Sequence, residues 1–434
     1  HHHHLAAILY LKVTTLMTNP IIPVFDGHND LPWESRDNRH YSVEGIDQEL
    51  PQTLHTDIPK LRRGGYLAQY WSAYVHSDYA GGDAVIATLE QIDFVHRMCA
   101  RYPETFKLAT TADDVRAAQD EGRIASLIGI EGGHQIANNM AVLREYARLG
   151  VRYMTLTWNN TNEFADAAVG EHKWHGLNDR GREIVAEMNH IGMIVDLSHV
   201  SADTMRDALA ASKLPVMFSH SSCFSVNPHP RNVPEDVQRM LADNDGVQMI
   251  TAVPGFVSAA VHEWVAAGEQ GPRPAVSVKD VADHVEAARD VMGVDHVGVG
   301  GDYDGTGAMP TGMEDVGKYQ NLFEGASLAR LERGRPQQAR LEERAARARG
   351  QRRRVQGVHG RGGVSRRVNC RASVARRHLR VRLVELQQKL KNWIGYNVSD
   401  WFMRDMTTKE LIIMADPNRP RHYEEEFKRQ IVQS

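Results

Sequence analysis

Residues Val24-Phe25-Asp26-Gly27-His28-Asn29-Asp30 form the stretch around which the fold is organised. The apolar residues at its start predict a strand, and side chains two residues apart on a strand lie on the same face. His28 and Asp30 are therefore expected to point the same way, with Gly27 leaving room beside them. An imidazole and a carboxylate directed at one point make half of a divalent-metal site. A His-x-Asp pair is common by chance, so the metal interpretation depends on further residues.

Eight short apolar runs along the chain predict strands. They cover residues 23–25, 67–75, 124–130, 153–157, 193–197, 215–219, 247–253 and 296–300. Continuous apolar runs are typical of strands buried on both faces, and a predicted helix follows nearly every one. This alternation predicts a parallel α/β architecture, and eight units predict a (β/α)8 TIM-type barrel, with a doubly wound open sheet as the alternative. Residues 31–60 are polar and predict a long loop with a short helix at 57–63.

Metal-ligating side chains stand at the ends of five of these strands. In a barrel, functional residues lie at the carboxyl ends of the strands. A lone histidine after a strand is more often a loop or core residue, and a lone acid often caps the next helix. His40, His55, His76 and His96 are interpreted as loop or core residues. Chance placement is a poor explanation for six such residues at equivalent positions: His28, Asp30, Glu131, His199, His220 and Asp302.

The residue types at these positions suit one kind of chemistry. Nitrogen and oxygen ligands with a shared carboxylate suit a pair of Zn²⁺ ions, and the lack of cysteine argues against a structural zinc site. Two metals about 3.5–4 Å apart hold a bridging hydroxide and polarise a carbonyl group. We therefore expect hydrolysis without a covalent enzyme intermediate.

Seven motifs together resemble one enzyme family. They are FDGHNDLPW, IEGGH, MTLTW, DLSHVS, FSHSS, HPRNVP and GGDYDG, and the resemblance covers residues 23–324. The combination is similar to the membrane (renal) dipeptidase family, metallopeptidase family M19, in particular its soluble bacterial members. The resemblance implies that His28 and Asp30 bind one zinc, that Glu131 bridges two, and that His199 and His220 bind the second.

The same resemblance assigns the remaining catalytic and substrate-binding roles. It implies that Asp302 and Glu131 are catalytic, Asp302 by carrying a proton. Arg231 would bind the C-terminal carboxylate of a small dipeptide, which suits the planar fork of an arginine. The expected function is therefore a zinc dipeptidase, with L,D dipeptides among its substrates. A lactonase or deaminase of similar fold and a catalytically impaired ligand-binding barrel are the alternatives.

The chain departs from the family pattern after the fourth predicted strand. Many relatives have a histidine there, in a TLTH run, that contacts the scissile carbonyl, whereas this chain has Trp158. Tryptophan has one N–H donor and no basic nitrogen. Asn159 or Asn160 could supply a donor instead, so Trp158 and Asn159 are predicted substrate-binding residues. The aromatic residue that relatives present after the seventh strand is displaced in AVPGFV.

Composition limits the partners and the compartment. A formal net charge of −4 indicates no nucleic-acid partner, and no apolar run is long enough to predict a membrane span. Three scattered cysteines indicate a reducing compartment, so we expect a cytoplasmic protein, with a homodimer left open. Residues 1–16 are interpreted as a tag and leader. The predicted domains are a barrel at 17–327, an arginine-rich segment at 328–384 and a tail at 385–434.

The arginine-rich segment differs from the rest of the chain. Residues 328–384 contain 18 arginines, no lysine and three acidic residues. A basic arm for nucleic acid or acidic surfaces usually mixes lysine with arginine. We favour a frameshifted translation, because codons can be chosen for RLERGRPQQARLEERAAR that give GWNEDDLNKLAWRNALR when read one nucleotide later. That string resembles the helix that family members carry after the eighth strand.

The frameshift hypothesis makes a direct prediction. Resequencing the gene should show a shifted frame at residues 328–384, and a frame-corrected chain should unfold at a higher temperature because it regains the apolar face of its closing helix. A confirmed reading frame, with this stretch protected from hydrogen exchange, would refute the hypothesis.

Overall fold

The structure, a computed structural model, describes residues 21–50 and 53–324. Within these residues nine strands form one parallel sheet. In chain order they are β1 (Val24–Asn29), β2 (Tyr66–Tyr74), β3 (Phe106–Leu108), β4 (Ile124–Glu131), β5 (Val151–Thr155), β6 (Ile194–Asp196), β7 (Met217–Phe218), β8 (Val247–Ile250) and β9 (Val297–Val299).

Eight of the strands close into a barrel. The hydrogen-bonded order runs β2-β1-β9-β8-β7-β6-β5-β4, and a long pairing between β2 and β4 joins the two ends. In a closed barrel every strand pairs on both sides, so no strand is left at an edge. The prediction of a (β/α)8 barrel is confirmed, and the doubly wound open sheet is excluded because such a sheet has two edge strands.

Strand β3 is an addition that the sequence did not predict. It pairs with the first residues of β4, from Ile124 to Ser126, and β5 takes over the same edge of β4 from Ile128 onward. Strand β3 therefore lies outside the closed ring. Its three residues, Phe-Lys-Leu, are too few to show an apolar pattern, and only Phe106 among them is buried.

Eleven α-helices have both ends within the described residues, and most of them lie between consecutive strands. They are α1 (Leu31–Arg39), α2 (Ile58–Gly64), α3 (Gly82–Arg101), α4 (Ala112–Asp120), α5 (Met140–Arg148), α6 (Asp179–Ile191), α7 (Ala202–Ala211), α8 (Glu235–Asp243), α9 (Pro254–Val257), α10 (Ala259–Ala266) and α11 (Val278–Met292).

The prediction of a loop from residue 31 is wrong, because helix α1 begins there. Its sequence is mostly polar, and the buried Leu31, Pro32 and Ser35 give too little apolar periodicity to predict a helix. Local contacts start it instead. The Asn29 side chain accepts a hydrogen bond from the Leu31 N–H group, and Pro32 stands in the first turn, where proline is tolerated.

Large side chains from five strands fill the interior of the barrel. Tyr70, Leu127, Tyr153, Met217 and Met249 belong to one buried apolar cluster, and the rings of Tyr70 and Tyr153 lie 4.9 Å apart. The Tyr153 ring occupies the space where a Cβ atom on Gly129 would stand, which explains glycine at that position of β4. The filled interior leaves the carboxyl ends of the strands as the open face of the barrel.

Several predicted segments lie outside the described residues: residues 1–16, the arginine-rich segment 328–384 and the tail 385–434. Among the residues that the structure does describe, no helix has the length and apolar character needed to cross a membrane.

Candidate metal centre and substrate cavity

The barrel brings six predicted residues together at the carboxyl ends of its strands. His28 is in β1 and Glu131 ends β4, and the other four follow β1, β6, β7 and β9 within a few residues. Their ligand atoms fall into three groups, each within 4.8 Å: His28, Asp30 and Glu131; Glu131, His199 and His220; His28, His220 and Asp302.

Glu131 lies at the centre of this cluster and is only 4% exposed. Its Oε2 atom lies 2.5 Å from Nε2 of His28, and its Oε1 atom lies 3.1 Å from Nε2 of His199. Nε2 of His220 lies 3.1 Å from Nε2 of His199. The carboxylate thus presents one oxygen to each of two groups of nitrogen atoms.

Hydrogen bonds at Nδ1 orient the first two histidines. Nδ1 of His28 lies 3.0 Å from the Tyr153 hydroxyl, which itself donates to the carbonyl of Gly27. Nδ1 of His199 lies 2.9 Å from Oδ1 of Asn159, an atom that only accepts. Both histidines therefore carry their proton on Nδ1, and their Nε2 lone pairs face the cluster. Such outer partners fix the tautomer of metal-binding histidines.

A chain of three buried side chains orients the third histidine. Nδ1 of His220 lies 2.8 Å from Oγ of Ser219, and that hydroxyl donates to Oδ2 of Asp196 over 2.6 Å. Asp196, the last residue of β6, also accepts hydrogen bonds from the Thr155 hydroxyl and from the backbone of Ser219. Because the Ser219 hydroxyl donates its hydrogen to Asp196, its oxygen accepts a hydrogen bond from Nδ1 of His220. Nδ1 of His220 therefore carries the proton of the neutral ring, and Nε2 of His220 carries none.

Asp26 fixes the backbone beneath the site. Its Oδ1 accepts from the backbone N–H of His28 at 2.8 Å and from the Gln69 amide at 2.9 Å. Its Oδ2 accepts from the N–H of Gly301 and from the Tyr319 hydroxyl. The side chain therefore joins β1 to β2 and to the chain segment that carries Asp302.

Asp30 and Asp302 complete the side of the site nearest His28. Nε2 of His28 lies 3.2 Å from Oδ2 of Asp30 and 3.6 Å from Oδ1 of Asp302. A Cβ atom on Gly305 would come within 2.1 Å of Asp30 and 2.5 Å of Asp302, so this close approach requires glycine. Burial and the neighbouring Asp30 carboxylate raise the pKa of Asp302 well above its usual range.

Two site residues have an unusual backbone. His199 has a φ angle of 65° and Asp302 has one of 63°, both in the left-handed region. Residues other than glycine rarely adopt this conformation, and it clusters at functional sites. The surrounding fold holds both side chains over the cluster at the cost of this local strain.

Arg231 lies 2% exposed in the wall of the same cavity. Its two terminal nitrogens each lie 3.3 Å from an acceptor, Oγ of Ser221 and the carbonyl of His220, while Nε is buried without a hydrogen-bond partner among the described residues. The Phe256 ring lies 5.0 Å from the guanidinium carbon. Burial lowers the pKa of Arg231 to about 10, so the side chain remains charged at neutral pH.

These residues share a cavity of about 800 Å³ at the open face of the barrel. Trp158 and Asn159 both line it, as do several residues that the sequence did not identify: Trp33, Glu34, His55, Tyr74, Phe256 and Asp304. Cavities of this volume are typical of small-molecule sites. His55 lies in a loop, as expected, and its Nδ1 accepts from the Asp304 N–H group at the cavity wall.

The donor set fits a pair of divalent cations. Three imidazole nitrogens free of protons and carboxylate oxygens converge within a few ångströms, with no cysteine among them. Oδ1 of Asp30 is buried and has no hydrogen-bond partner within the described part of the chain, as expected for an oxygen that binds a cation. Hydrogen bonds within the cluster could pair only a few of these atoms, because hydrogen-bond acceptors outnumber donors there.

The outer partners yield a testable prediction at Ser219. Ser219→Ala removes the acceptor for Nδ1 of His220 and should weaken binding of the metal at His220 by about 10–100-fold, the usual effect of losing such a partner. Metal titration by calorimetry measures the change. Ser222→Ala is a matched control, because Ser222 is buried but donates to the carbonyl of Thr251. Equal metal affinity in Ser219→Ala and the unaltered protein would contradict the assignment.

Comparison with known proteins identifies the family. A sequence profile of the membrane dipeptidase family, peptidase family M19, matches residues 12–334. Dipeptidase verJ of Clonostachys rogersoniana is 42% identical over 313 residues, which cover 70% of this chain and 77% of that protein. An uncharacterised dipeptidase of Schizosaccharomyces pombe is also 42% identical, over 317 residues that cover 69% of this chain and 74% of that protein.

Two solved structures share the fold at 25% sequence identity. A metallopeptidase from Rhodobacter sphaeroides, liganded with a phosphinate mimic of the dipeptide L-Ala-D-Ala, has a TM-score of 0.62 and covers 73% of this chain and 95% of its own. A dipeptidase of family M19 has a TM-score of 0.64 and covers 73% and 94%. The chain belongs to the membrane dipeptidase family, peptidase family M19, and is a metal-dependent hydrolase.

Proposed function

We propose that the protein is a dipeptidase that uses two zinc ions to hydrolyse the peptide bond of small dipeptides, L,D dipeptides among them. The observation that carries this proposal is the position of Glu131, with one carboxylate oxygen toward His28 and the other toward His199. This is the arrangement that a bridging ligand requires. Membership of the M19 family supports the same activity.

Each ion would have its own set of ligands. His28 and Asp30 would bind the first, His199 and His220 the second, and Glu131 both. Zinc suits a set of imidazole and carboxylate ligands without cysteine, and a catalytic zinc keeps a position open for water or substrate. Bound there, two zinc ions supply a nucleophile from water at neutral pH and polarise the scissile carbonyl.

The protein's own residues would handle the proton and the substrate. Asp302 lies beside the first ligand set, with its Oδ1 atom 3.6 Å from Nε2 of His28, which places it to accept a proton from the attacking water and pass it to the leaving amine. Arg231 would hold the C-terminal carboxylate, because its buried Nε is a donor without a hydrogen-bond partner among the described residues. A buried charge of this kind strongly favours an anionic group.

Trp158 and Asn159 would have roles that differ from that of the family histidine, which contacts the scissile carbonyl. Oδ1 of Asn159 accepts from His199, so Asn159 orients a ligand, and its amide nitrogen remains the candidate donor to substrate. Trp158 lines the cavity and its ring lies 6.3 Å from that of His199. Because oxyanion donors are worth about 10²–10³ in kcat, we expect modest turnover with Trp158 in this place.

The first prediction concerns the activity itself. Zinc-loaded protein should hydrolyse members of a panel of L,L and L,D dipeptides, and a chelator should abolish the activity until zinc is restored. Dipeptides with an amidated C-terminus should be poor substrates, because they lack the carboxylate for Arg231. No turnover of any dipeptide with both zinc ions bound would refute the proposed function in favour of a ligand-binding barrel, and turnover of lactones alone would favour a different hydrolase.

The second prediction concerns Glu131. Glu131→Gln removes the charge shared by the two ligand sets, so it should lower zinc content at both sites and abolish turnover instead of raising KM alone. Elemental analysis and kinetics measure the two effects. Glu187→Gln, in a surface ion pair with Arg144, is the control and should retain both zinc ions. Two bound zinc ions with unchanged kcat in Glu131→Gln would show that Glu131 does not bridge.

A further inference from the structure

Three aromatic side chains form one continuous wall of the cavity, here called the aromatic wall: Trp33, Tyr74 and Trp158. The rings of Trp33 and Tyr74 lie 4.9 Å apart and nearly perpendicular, and those of Tyr74 and Trp158 lie 5.1 Å apart. All three line the cavity and are half-buried. They come from α1, the end of β2 and the residues after β5, so the barrel, and not local sequence, assembles them.

Neighbouring side chains hold the aromatic wall in place from behind. The Arg36 guanidinium lies 4.4 Å from the centre of the Trp33 ring and also donates to the Tyr79 hydroxyl. On the other side, the His76 ring lies 4.9 Å from Trp158. Ordered aromatic surfaces of this kind lose little entropy when an apolar group packs against them.

The aromatic wall and Arg231 lie on opposite sides of the barrel. In the closed ring of eight strands, β2 and β7 are four positions apart, which is the largest separation possible. Tyr74 ends β2, and Arg231 lies in the segment after β7. The metal-ligand cluster around Glu131 lies between them. A substrate anchored at Arg231 with its scissile bond at this cluster therefore extends its far end toward the aromatic wall.

Acidic groups in the same half of the cavity agree with this direction. Glu34 follows Trp33 in α1 and lines the cavity with Asp304. A free N-terminal ammonium group complements such carboxylates, whereas a C-terminal carboxylate does not.

We propose that the aromatic wall is the binding subsite for the side chain of the substrate's N-terminal residue, and that it selects large apolar or aromatic side chains there. This inference rests on the proposed function and names the substrate class of the same site. Trp158 is the residue that extends the wall to the metal cluster. A Phe side chain buried against these rings gains apolar area and edge-to-face contacts that an Ala methyl group cannot make.

The test measures binding, so it does not depend on turnover. Two phosphinate dipeptide mimics that differ only in the N-terminal side chain, methyl or benzyl, are titrated by calorimetry into the zinc-loaded full chain. The benzyl mimic should bind at least about 10-fold more tightly, since even one methylene in an apolar pocket is worth roughly 10–200-fold. The quantity compared among variants is the ratio of the two dissociation constants, which cancels changes in zinc content.

Variants locate the source of this ratio. Trp158→Ala should reduce it to near one, and Trp158→Phe should keep most of it because the ring remains. Trp264→Ala is the matched control, since Trp264 lies in α10 and its indole donates to the carbonyl of Gln270, outside the cavity. This control should leave the ratio unchanged.

Each contrary result has a distinct meaning. Equal affinities for the two mimics, or a ratio that survives Trp158→Ala, would overturn the role of the aromatic wall while leaving the dipeptidase function intact. A ratio that falls equally in Trp264→Ala would also overturn it, because the effect would not be local. Binding of neither mimic with both zinc ions present would refute the inference and the proposed function together.

Discussion

The site depends on one constraint, a buried glutamate that must serve two groups of histidine nitrogens at once. Glu131 is 4% exposed at the end of β4, and its two oxygens lie 2.5 Å from His28 and 3.1 Å from His199. Burying several ligands of this kind is costly unless a cation compensates them. The barrel prepares the ligands for a cation by holding each one at a strand end. Tyr153, Asn159 and the Ser219–Asp196 pair fix the histidine tautomers.

The two ends of the binding cavity carry different chemical groups, and the order of the strands decides which group lies at which end. A buried arginine stands after β7, acidic groups stand near α1 and β9, and an aromatic wall faces Arg231 across the metal cluster. A molecule with a carboxylate at one end and an ammonium group at the other complements this arrangement. The departure at Trp158 removes the histidine expected from the family pattern, and it also adds apolar surface beside the cluster. In our proposal, Trp158 therefore replaces a polar contact to the scissile carbonyl with selectivity for the substrate's N-terminal side chain.

The sequence predicted those features that depend on residue type and on position along the chain. Apolar runs predicted all eight barrel strands, and the His, Asp and Glu residues just after them predicted the cluster that the structure brings together. It was uninformative where contacts are long-range. Asp196 and Ser219 resemble ordinary strand residues until β6 and β7 place them beside His220, and Tyr74 and Trp33 meet only because β1 and β2 pair. Strand β3 and helix α1 were missed because neither carries enough apolar periodicity. The family match ends at residue 334, within the arginine-rich segment whose reading frame we question.

We propose that Glu131 bridges two zinc ions, and anomalous X-ray diffraction at the zinc absorption edge measures this directly. Crystals of the zinc-loaded protein should show two anomalous peaks about 3.5–4 Å apart, one on each side of the Glu131 carboxylate. One peak should lie against His28 and Asp30 and the other against His199 and His220. A single peak, or two peaks of which Glu131 contacts only one, would contradict the account.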